Sequence, residues 1–575
     1  MKKFLKMVLA VICGILILNL LTFAIIAGMS GSGSSTPAVP NAGVLKIDLS
    51  KIVIDEQQST PDPMAMIQSK GKTITSVGLW DAVCAINTAA NDPGIKYIYL
   101  KTDGNTTPVA KLSEIRKSLA KFRAESGKPV VAYLESPTTG SYYLASVADK
   151  VYLTAYPGGD AHMAGVSTQM IFLGDLLKRF GVNVQLIRHG KYKSAGEMFT
   201  RASSSPENRE QNQVMINSMW EAMSSEIAES RGIDVAILND AIDNLKLCLP
   251  EDYLECGLVD EVLDRSALRK QLATLAVEED FNKVKMIPFA DYAEAKAPKA
   301  TAKDKIAVIY ADGEINDGED EQNIAGDRFA SVIEKVREDK TVKAVVLRVN
   351  SPGGSVIASD KIKRELDLLK EKCPVIASYG EYAASGGYWI SNNCDKIYSD
   401  ALTLTGSIGV FGMIPDLSKT ASDVLHVGIE SVSSNKHGDM FSLMRPFDQA
   451  ELDYMQNSIE DIYDRFITLV SEGRGIPKED VDAIAQGRVW TGSDALDIKL
   501  VDEIGTLEDA IHYAASLAGN EDLSAWTIKG YPAPLTFMEM IMSSMGPQED
   551  YAVRIRYYFS KPHIIARMPY QLLTL

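Results

Sequence analysis

"CPVIASYGEYAASGGYWISNNCDKIYS" (373–399) and "KPVVAYLESPTTGSYYLASVADKVYL" (128–153) are two versions of one pattern within a single chain. Each has Pro-Val at its second and third positions, then a turn of small residues followed by two aromatic residues. Each continues to Asp-Lys, a β-branched residue and Tyr. Two such stretches predict an internal repeat, and the repeat decides the architecture.

The flanking sequence repeats in the same order. Upstream, "IKYIYLKTDG" (95–104) resembles "VKAVVLRVNS" (342–351), and downstream "YLECGLVDEV" (253–262) resembles "ALDIKLVDEI" (495–504). Three matched blocks in one order predict a tandem duplication. A chain of 575 residues is also too long for a single hydrophobic core, so at least two domains are expected.

The duplication sets the predicted domain boundaries. The segment between the copies, "EAKAPKATAKDK" (294–305), is rich in Ala, Lys and Pro and reads as a linker. The last residues have no counterpart in the first copy. The predicted units are an N-terminal repeat (45–293), a linker (294–304), a C-terminal repeat (305–530) and a C-terminal extension (531–575).

Short apolar runs alternate with amphipathic runs in the second copy, which predicts a β-α-β-α-β order. The predicted elements are strands at 305–315, 343–350 and 373–380 and helices at 328–340 and 358–372. This order indicates an α/β fold with a parallel sheet covered by helices. Ser385 then follows the carboxyl end of a strand, at the edge where such sheets bind ligands.

The N-terminus predicts a membrane anchor. Three lysines in residues 1–6 precede an apolar run over 7–29, which is about as long as the hydrocarbon core of a bilayer requires. A cleaved signal peptide is the alternative, but its apolar stretch is usually shorter. The lysines place residues 1–6 in the cytoplasm and the domains across the membrane. Residues 30–44, rich in Gly, Ser and Pro, predict a flexible tether.

Composition excludes several classes of function. The net charge of −17 argues against a nucleic-acid binder, which would carry a basic surface. None of the six cysteines forms a CxxC pair, so a zinc site is not expected, and a disulfide framework is doubtful. No metal or cofactor is predicted.

Ser385 is a candidate nucleophile because small residues surround it and backbone donors lie beside it. Gly386 follows directly, and "NSPGGS" (350–355) follows the neighbouring predicted strand, so the N–H groups of Gly386 and Gly354 could bind an oxyanion. A small-residue turn before a helix is also common as plain packing. The turn by itself therefore leaves both interpretations open.

A serine nucleophile needs a base, and histidine offers no recognisable candidate. None of the six histidines stands in a pattern with an aspartate partner. A desolvated lysine can replace histidine, as in Ser–Lys dyads. The stretch "RHGKYKSAGEMFTR" (188–201) follows an apparent strand at 182–187 and contains Lys191 and Lys193 among small residues.

Five motifs, taken together, are specific enough to indicate one protein family. They are "NSPGGS", "YAASGGYWIS", "TLTGSIGVFG" (403–412), "GKYKSAGEMF" (190–199) and "GRVWTGSDALDIKLVDEIG" (487–505). The chain resembles the signal peptide peptidase A family, also called protease IV, in its long tandem form, over about residues 45–525. The resemblance implies two crotonase/Clp-protease-like domains. It also implies a serine endopeptidase anchored in the bacterial inner membrane, with its catalytic domains on the periplasmic side. Such an enzyme would degrade cleaved signal peptides as a homo-oligomer, a tetramer in this form.

The resemblance also assigns roles to matching residues. Ser385 of "AASGG" matches the nucleophile, and Lys193 of "YKSA" matches the general base. Ser407 of "TGSIG" resembles the hydroxyl that orients the lysine. Gly354 and Gly386 resemble the oxyanion-hole donors.

Comparison of the two copies predicts one active site divided between them. Thr139 aligns with Ser385, and "DGNTT" replaces "NSPGG", so the N-terminal repeat lacks the nucleophile. Asn435 aligns with Lys193, so the C-terminal repeat lacks that lysine, although Lys436 is one position away and remains an alternative base. The sequence leaves open whether serine and lysine meet within one protomer or between two.

Two other functions share features with this interpretation. A crotonase-type enzyme acting on acyl-CoA thioesters would use the same fold and the same glycine loops, and an inactive membrane scaffold would need neither serine nor lysine.

For the protease, a lysine base must be neutral, so Glu197 is expected to point away from Lys193. Activity is expected to be higher at alkaline pH.

Overall fold

The computed structural model describes residues 37–59, 74–156, 163–298, 301–319, 323–534, 539, 564–568 and 573–574. The predicted anchor at 7–29 and residues 30–36 of the predicted tether lie outside these residues. Within them, no helix combines the length and the apolar character that a membrane crossing requires.

The described strands are numbered in chain order. They are β1 (Gly43–Asp48), β2 (Ile52–Asp55), β3 (Thr75–Gly78), β4 (Ile95–Lys101), β5 (Val130–Leu134), β6 (Lys150–Thr154), β7 (Ser167–Thr168), β8 (Asn183–His189), β9 (Glu261–Leu263), β10 (Met286–Pro288), β11 (Lys305–Asp312), β12 (Ile315–Asn316), β13 (Ile324–Ala325), β14 (Val342–Ser351), β15 (Gly353–Ser355), β16 (Val375–Ala384), β17 (Lys396–Ser399), β18 (Leu404–Gly406), β19 (Val410–Asp416), β20 (Val489–Thr491), β21 (Glu503–Ile504), β22 (Thr527–Tyr531), β23 (Ile564–Arg567) and β24 (Leu573–Thr574).

The described α-helices are numbered in the same way. They are α1 (Leu79–Asn91), α2 (Val109–Ser126), α3 (Thr139–Ala145), α4 (Gly174–Arg179), α5 (Glu197–Thr200), α6 (Pro206–Arg231), α7 (Val235–Asp243), α8 (Pro250–Glu255), α9 (Arg265–Leu275), α10 (Phe289–Ala295), α11 (Gly326–Glu338), α12 (Val356–Lys370), α13 (Gly386–Ser391), α14 (Gln449–Arg474), α15 (Lys478–Ile484), α16 (Gly492–Asp497) and α17 (Leu507–Leu517).

The two repeats build sheets of the same topology. The first sheet has the order β10-β1-β4-β5-β6-β9, and all of its neighbours are parallel. The second contains the equivalent order β22-β11-β14-β16-β17-β21, again all parallel. Beyond β16 it adds β18 and then the antiparallel strand β20. The α/β architecture predicted from the sequence is therefore present in both copies.

The central strands are nearly continuous apolar runs because both faces of each sheet are covered. Val345, Val346 and Leu347 are consecutive in β14 and all are fully buried. One buried cluster combines Leu45 and Ile98 of the first sheet with Val346 of the second. The two repeats therefore share a hydrophobic core.

A third sheet joins the repeats, and the sequence did not reveal it. Its order is β13-β12-β15-β23-β19-β8. Strand β8 comes from the N-terminal repeat but pairs antiparallel with β19 of the C-terminal repeat, in a register that runs from His189 opposite Val410 to Asn183 opposite Asp416. Strand β8 therefore lies outside the first sheet and carries the segment that follows it across to the other repeat.

Some predicted boundaries differ from the observed elements. The tether was expected to reach residue 44, but β1 begins at Gly43 because it pairs with both β4 and β10. The linker at 294–304 begins inside α10, which ends at Ala295. Residues 564–567 of the predicted C-terminal extension form β23, which lies between β15 and β19.

Candidate active site

Ser385 lies at the junction of β16 and α13 in a rare backbone conformation. Its φ of 56° and ψ of −113° place a non-glycine residue where side chains are rarely tolerated. The Ser385 N–H donates to the carbonyl of Gly406 at 2.8 Å, which ties the junction to β18. Strain of this kind is typical of residues held in place for function.

Lys193 reaches Ser385 because the pairing of β8 with β19 brings its loop to the C-terminal repeat. Lys193 Nζ lies 2.8 Å from Ser385 Oγ, 2.9 Å from the Ser407 carbonyl oxygen and 3.0 Å from Ser407 Oγ. A neutral amine has two N–H donors and one lone pair, and a carbonyl oxygen can only accept. Donation to the two Ser407 oxygens therefore leaves the lone pair for the Ser385 hydroxyl proton.

The surroundings of Lys193 favour the neutral amine. Its side chain is completely buried, and this burial holds the pKa of Lys193 well below its usual range. The nearby carboxylate of Glu197 has other partners. It accepts from Arg188 Nη1 at 3.3 Å, from the Ser205 N–H at 3.1 Å and from Asn208 Nδ2 at 3.2 Å. Glu197 thus points away from Lys193, as expected.

Ser407 is fixed from two directions. It follows β18 with a φ of 49°, and its N–H donates to the carbonyl of Arg488 at 2.7 Å. The same residue therefore presents both its carbonyl and its hydroxyl to Lys193 Nζ. This double contact sets the direction of the amine.

Gly354 and Gly386 lie against each other next to Ser385. A Cβ atom on Gly386 would lie 3.0 Å from the Gly354 nitrogen, and a Cβ on Gly354 would lie 1.9 Å from the carbonyl oxygen of Ile315. The loop can therefore approach this closely only with glycine. The two glycines that the sequence suggests as oxyanion donors are therefore neighbours in the fold.

Strand β23 occupies the groove next to these donors. Gly354 lies opposite Ala566 in the antiparallel pairing of β15 with β23, and the Met568 N–H donates to the Pro352 carbonyl at 2.8 Å. The Ala566 carbonyl oxygen and the Gly386 nitrogen both lie beside Gly353, at 2.1 Å and 2.5 Å from the position of a Cβ there. A peptide strand thus fits between β15 and β19 with a carbonyl beside the glycine donors.

The alternative bases lie elsewhere. Lys436 and Lys191 are exposed, and so is Asn435. Thr139, the counterpart of Ser385, is buried, and its hydroxyl accepts from the Ala164 N–H at 3.2 Å. The structure therefore brings together Ser385, Lys193 and Ser407 and leaves the other candidates apart.

One cluster among the described residues has the composition of a metal site. His437, Asp448 and Glu451 have ligand atoms within 4.8 Å of one another. Both guanidinium nitrogens of Arg445 contact Glu451 at 2.7 Å, and the Asp448 side chain accepts from the Glu451 N–H at the start of α14. These contacts already account for the carboxylates. The described cysteines are all free.

Sequence reasoning missed two residues that contact the lysine loop. Gly487 packs directly against Lys193. Gln211 of α6 donates hydrogen bonds to Tyr192 and Ser194, the residues on either side of Lys193. Gly487 begins one of the motifs quoted above, but the motif gave it no role. Gln211 lies in a long polar helix with no motif of its own, so only the structure reveals it.

The sequence profile of Peptidase family S49 matches residues 122–278 and 367–521. The chain belongs to this family. The chain is 36% identical over 526 residues to "Protease 4" of Haemophilus influenzae, and the match covers 88% of this chain and 84% of the relative. It is 36% identical over 554 residues to "Protease 4" of Salmonella typhi, covering 92% and 87%.

A plant relative is similar over slightly less of its length. The chain is 31% identical over 471 residues to "Serine protease SPPA, chloroplastic" of Arabidopsis thaliana, covering 80% of this chain and 68% of the relative. A solved structure of a ClpP1 variant from Listeria monocytogenes covers 36% of this chain and 94% of its own, with a TM-score of 0.24 and 16% identity.

The two family matches fall one in each repeat, so the chain is a tandem member of family S49. It is a serine protease.

Proposed function

We propose that this protein is a membrane-anchored endopeptidase that degrades cleaved signal peptides with a dyad of Ser385 and Lys193. One observation carries the proposal: Lys193 Nζ lies 2.8 Å from Ser385 Oγ in a site where both side chains are fully buried. The two residues come from different repeats but meet within one chain.

In the proposed mechanism, Ser385 Oγ attacks the scissile carbonyl carbon while Lys193 Nζ takes the hydroxyl proton. The N–H groups of Gly354 and Gly386 stabilise the resulting oxyanion. When the C–N bond breaks, the Lys193 ammonium gives its proton to the leaving amine and an acyl-enzyme remains. Water, deprotonated by the same lysine, then hydrolyses the ester and frees Ser385. Ser407 keeps the amine in place throughout.

The groove between β15 and β19 supports a peptide substrate in extended conformation. Strand β23 is antiparallel to both strands there, and an incoming peptide that adds a strand would make the same main-chain bonds. Main-chain bonding is independent of side-chain identity, which suits short apolar peptides of varied sequence. A relative from Enterococcus faecium, 37% identical over 185 residues, is named "Putative signal peptide peptidase SppA".

Digestion of a synthetic signal peptide tests the dyad. The full chain should cleave it, while Ser385→Ala and Lys193→Ala should lose roughly 10³-fold or more in kcat. Lys436→Ala and Lys191→Ala are the matched controls and should keep the wild-type rate. Full activity in Lys193→Ala together with loss in Lys436→Ala would overturn the assignment of the base.

The apolar run at 7–29 supports a single-pass anchor in the bacterial inner membrane, with the peptidase domains on the periplasmic side. The full chain should remain with membranes after carbonate extraction, and a chain lacking residues 2–29 should be released. Release of the full chain would contradict anchoring and would leave the proposed dyad untouched.

An open surface supports a homo-oligomer. Within the chain, α2 covers the second sheet, where Glu114 contacts Arg348 at 2.6 Å and Lys117 contacts Asp400 at 2.6 Å. The equivalent face of the first sheet instead borders a cavity of about 680 Å³. Lys101, which lines this cavity, is the counterpart in the first sheet of Arg348 in the second sheet.

The helix that could cover this face is α12, the counterpart of α2. Its outward side carries Ile357, 64% exposed, and Leu368, 42% exposed. If α12 of a second copy packed on the first sheet as α2 packs on the second, copies would join head to tail and close into a ring. Family resemblance indicates four copies and two Clp-like domains in each.

Light scattering on the purified full chain tests the ring. The wild type should have four times the chain mass of 62.7 kDa, and Leu368→Glu should reduce it. Leu425→Glu, at a site 64% exposed on another surface, is the control and should leave the mass unchanged. A monomeric wild type, or dissociation by the control alone, would refute the proposed interface.

A further inference from the structure

We propose that Gln211 is the positioning residue that holds the Lys193 loop against the C-terminal repeat. The inference rests on the proposed function, since it concerns the residue that delivers the general base. A base that comes from one repeat and a nucleophile from the other need an element that fixes their separation. The Gln211 side chain, 2% exposed, is located where such an element is required.

Gln211 contacts the chain on both sides of Lys193. Its Nε2 donates to the Tyr192 carbonyl at 3.0 Å and to Ser194 Oγ at 3.1 Å. These two bonds enclose the Cα of Lys193, so they limit rotation and translation of the backbone from which the lysine side chain extends. Because these bonds involve Tyr192 and Ser194, they leave the amine itself for Ser385 and Ser407.

The other end of the amide reaches the C-terminal repeat. The Val489 N–H donates to Gln211 Oε1 at 3.3 Å. Val489 opens β20, which is antiparallel to β18, and the preceding carbonyl of Arg488 accepts from the Ser407 N–H. One side chain therefore connects the lysine loop to the strand pair that carries Ser407.

The same strand pair also holds the nucleophile. Gly406, the last residue of β18, lies opposite Val489, and its carbonyl accepts from the Ser385 N–H at 2.8 Å. Gln211 thus acts on Lys193 from one side and, through β20 and β18, on Ser407 and Ser385 from the other. Since Gln211 touches none of the reacting atoms, its role is positioning.

An amide suits this place because it is uncharged. A buried carboxylate near Lys193 would favour the ammonium form and work against a neutral base, while a buried apolar side chain would leave the Tyr192 carbonyl and the Val489 N–H without this partner. Gln211 satisfies donor and acceptor groups from two repeats without adding charge.

The test is the pH dependence of kcat for Gln211→Leu in the full chain, with a synthetic signal peptide. If the loop loosens, water reaches the amine and the pKa of Lys193 rises toward its usual value. We expect the acid-side midpoint of kcat to move up by about half a pH unit or more. At pH 8, kcat should fall roughly tenfold, with KM within about twofold of wild type.

Ser194→Ala provides a second variant that removes the Gln211–Ser194 bond and little volume. It should shift the midpoint in the same direction by less, and its effect should be smaller in the Gln211→Leu background, where the bond between the two side chains is already absent. Gln213→Leu changes an exposed glutamine on the same helix and should leave the profile unchanged.

The outcomes separate this inference from the proposed function. A lower kcat with an unmoved midpoint in both variants would mean that Gln211 only stabilises the fold, and the inference would be wrong. A wild-type profile in both would overturn it as well. Activity in Lys193→Ala would instead refute the proposed dyad, whatever the Gln211 variants do.

Discussion

Lys193 can take a proton from Ser385 only when its amine is uncharged, and burial shifts its pKa in favour of that state. The side chain is fully buried, and its amine contacts oxygens of Ser385 and Ser407. Three contacts suit an amine with two hydrogens and one lone pair, whereas an ammonium would leave no lone pair for the serine proton. Burial of the side chain therefore favours the form of the amine that can accept the serine proton.

Burial of a lysine costs stability, which leads to a prediction at this residue. Because burial lowers the pKa of Lys193 in the folded chain, the folded chain binds this proton less tightly than the unfolded chain, and stability is lost wherever the unfolded lysine is protonated. Lys193→Met keeps the shape without that cost. We expect roughly 10³-fold or greater loss of kcat together with a higher Tm in calorimetry. Lys191→Met, at an exposed site, should change neither, and a lower Tm for Lys193→Met would contradict the argument.

The same pKa shift predicts how activity depends on pH. Since the pKa of Lys193 lies well below its usual range, the fraction of neutral amine rises as pH increases through that lowered pKa. We expect kcat to increase from pH 6 toward alkaline pH and then level off below the pKa of an ordinary lysine. Stopped assays with a fluorogenic peptide from pH 6 to 9 measure this. A rate that falls steadily over that range would exclude a lysine base.

At the scale of elements, the site depends on the antiparallel pairing of β8 with β19. That pairing delivers the lysine loop, and a tight contact then fixes it. Gly487 has a φ of 77°, and a Cβ placed there would lie 2.6 Å from Lys193 Cβ and 2.7 Å from its Cα. The loop carrying Gly487 therefore acts as a surface against which Lys193 is pressed.

Gly487→Ala should displace Lys193. We expect kcat to fall at least about tenfold, because small errors in the position of a catalytic group are costly. Gly475→Ala is the matched control, since Gly475 also has a left-handed φ, 64°, but has no neighbouring atoms within 4 Å of an added Cβ. Both variants carry a similar backbone cost, so equal loss of activity in the two would show that strain alone explains the effect.

Strand β23 occupies the groove that the proposed substrate requires, so it should compete with the substrate. Ala566 is fully buried between β15 and β19, and Ala566→Glu would place a charge there and displace the strand. We expect a several-fold lower KM with kcat unchanged. Arg567→Lys keeps the contact with Glu314 and should leave KM as in the wild type. An unchanged KM in Ala566→Glu would mean that β23 does not compete.

Sequence predicted the elements of this fold better than their long-range partners. Apolar periodicity predicted three strands and two helices of the second copy, and the duplication extended the same order to the first, because these patterns are local and occur twice. Residues 182–187 also read as a strand, but nothing in them indicated that β8 would pair with β19 more than 220 residues away. Motifs likewise located Ser385 and Ser407, whereas Gln211 contributes through distant contacts that leave no local pattern.

At the scale of the molecule, the division of the site requires the two repeats to be rigidly joined. Arg348 lies at the centre of that junction, on the strand that leads into the Gly354 loop. Its Nε contacts Glu56 at 2.7 Å and its Nη2 contacts Glu114 at 2.6 Å, and all three side chains are buried. Both carboxylates come from the N-terminal repeat, so the ion pairs cross the boundary.

Removing the arginine should leave the buried Glu114 carboxylate without its ion pair and Glu56 with Lys111 alone. Burial alone would raise the pKa of Glu56, but the charges of Arg348 and Lys111 outweigh it and hold that pKa at about 2. We expect Arg348→Met to lower the free energy of unfolding by about 3–5 kcal/mol in urea titrations. Lys343→Met on the same strand, which breaks a half-exposed pair with Asp304, should cost no more than about 1 kcal/mol.

The pH dependence of this loss identifies its cause. Because the pKa of Glu56 is lowered in the folded chain, its contribution to stability is complete above the usual carboxyl range. It disappears as pH falls toward 2, so the difference between wild type and Arg348→Met should shrink over that interval. Activity of the variant should fall with its folded fraction, since Ser385 and Lys193 meet only when the repeats are joined. A difference that persists unchanged at low pH would mean that packing of the Arg348 side chain, and not its charge, holds the repeats together.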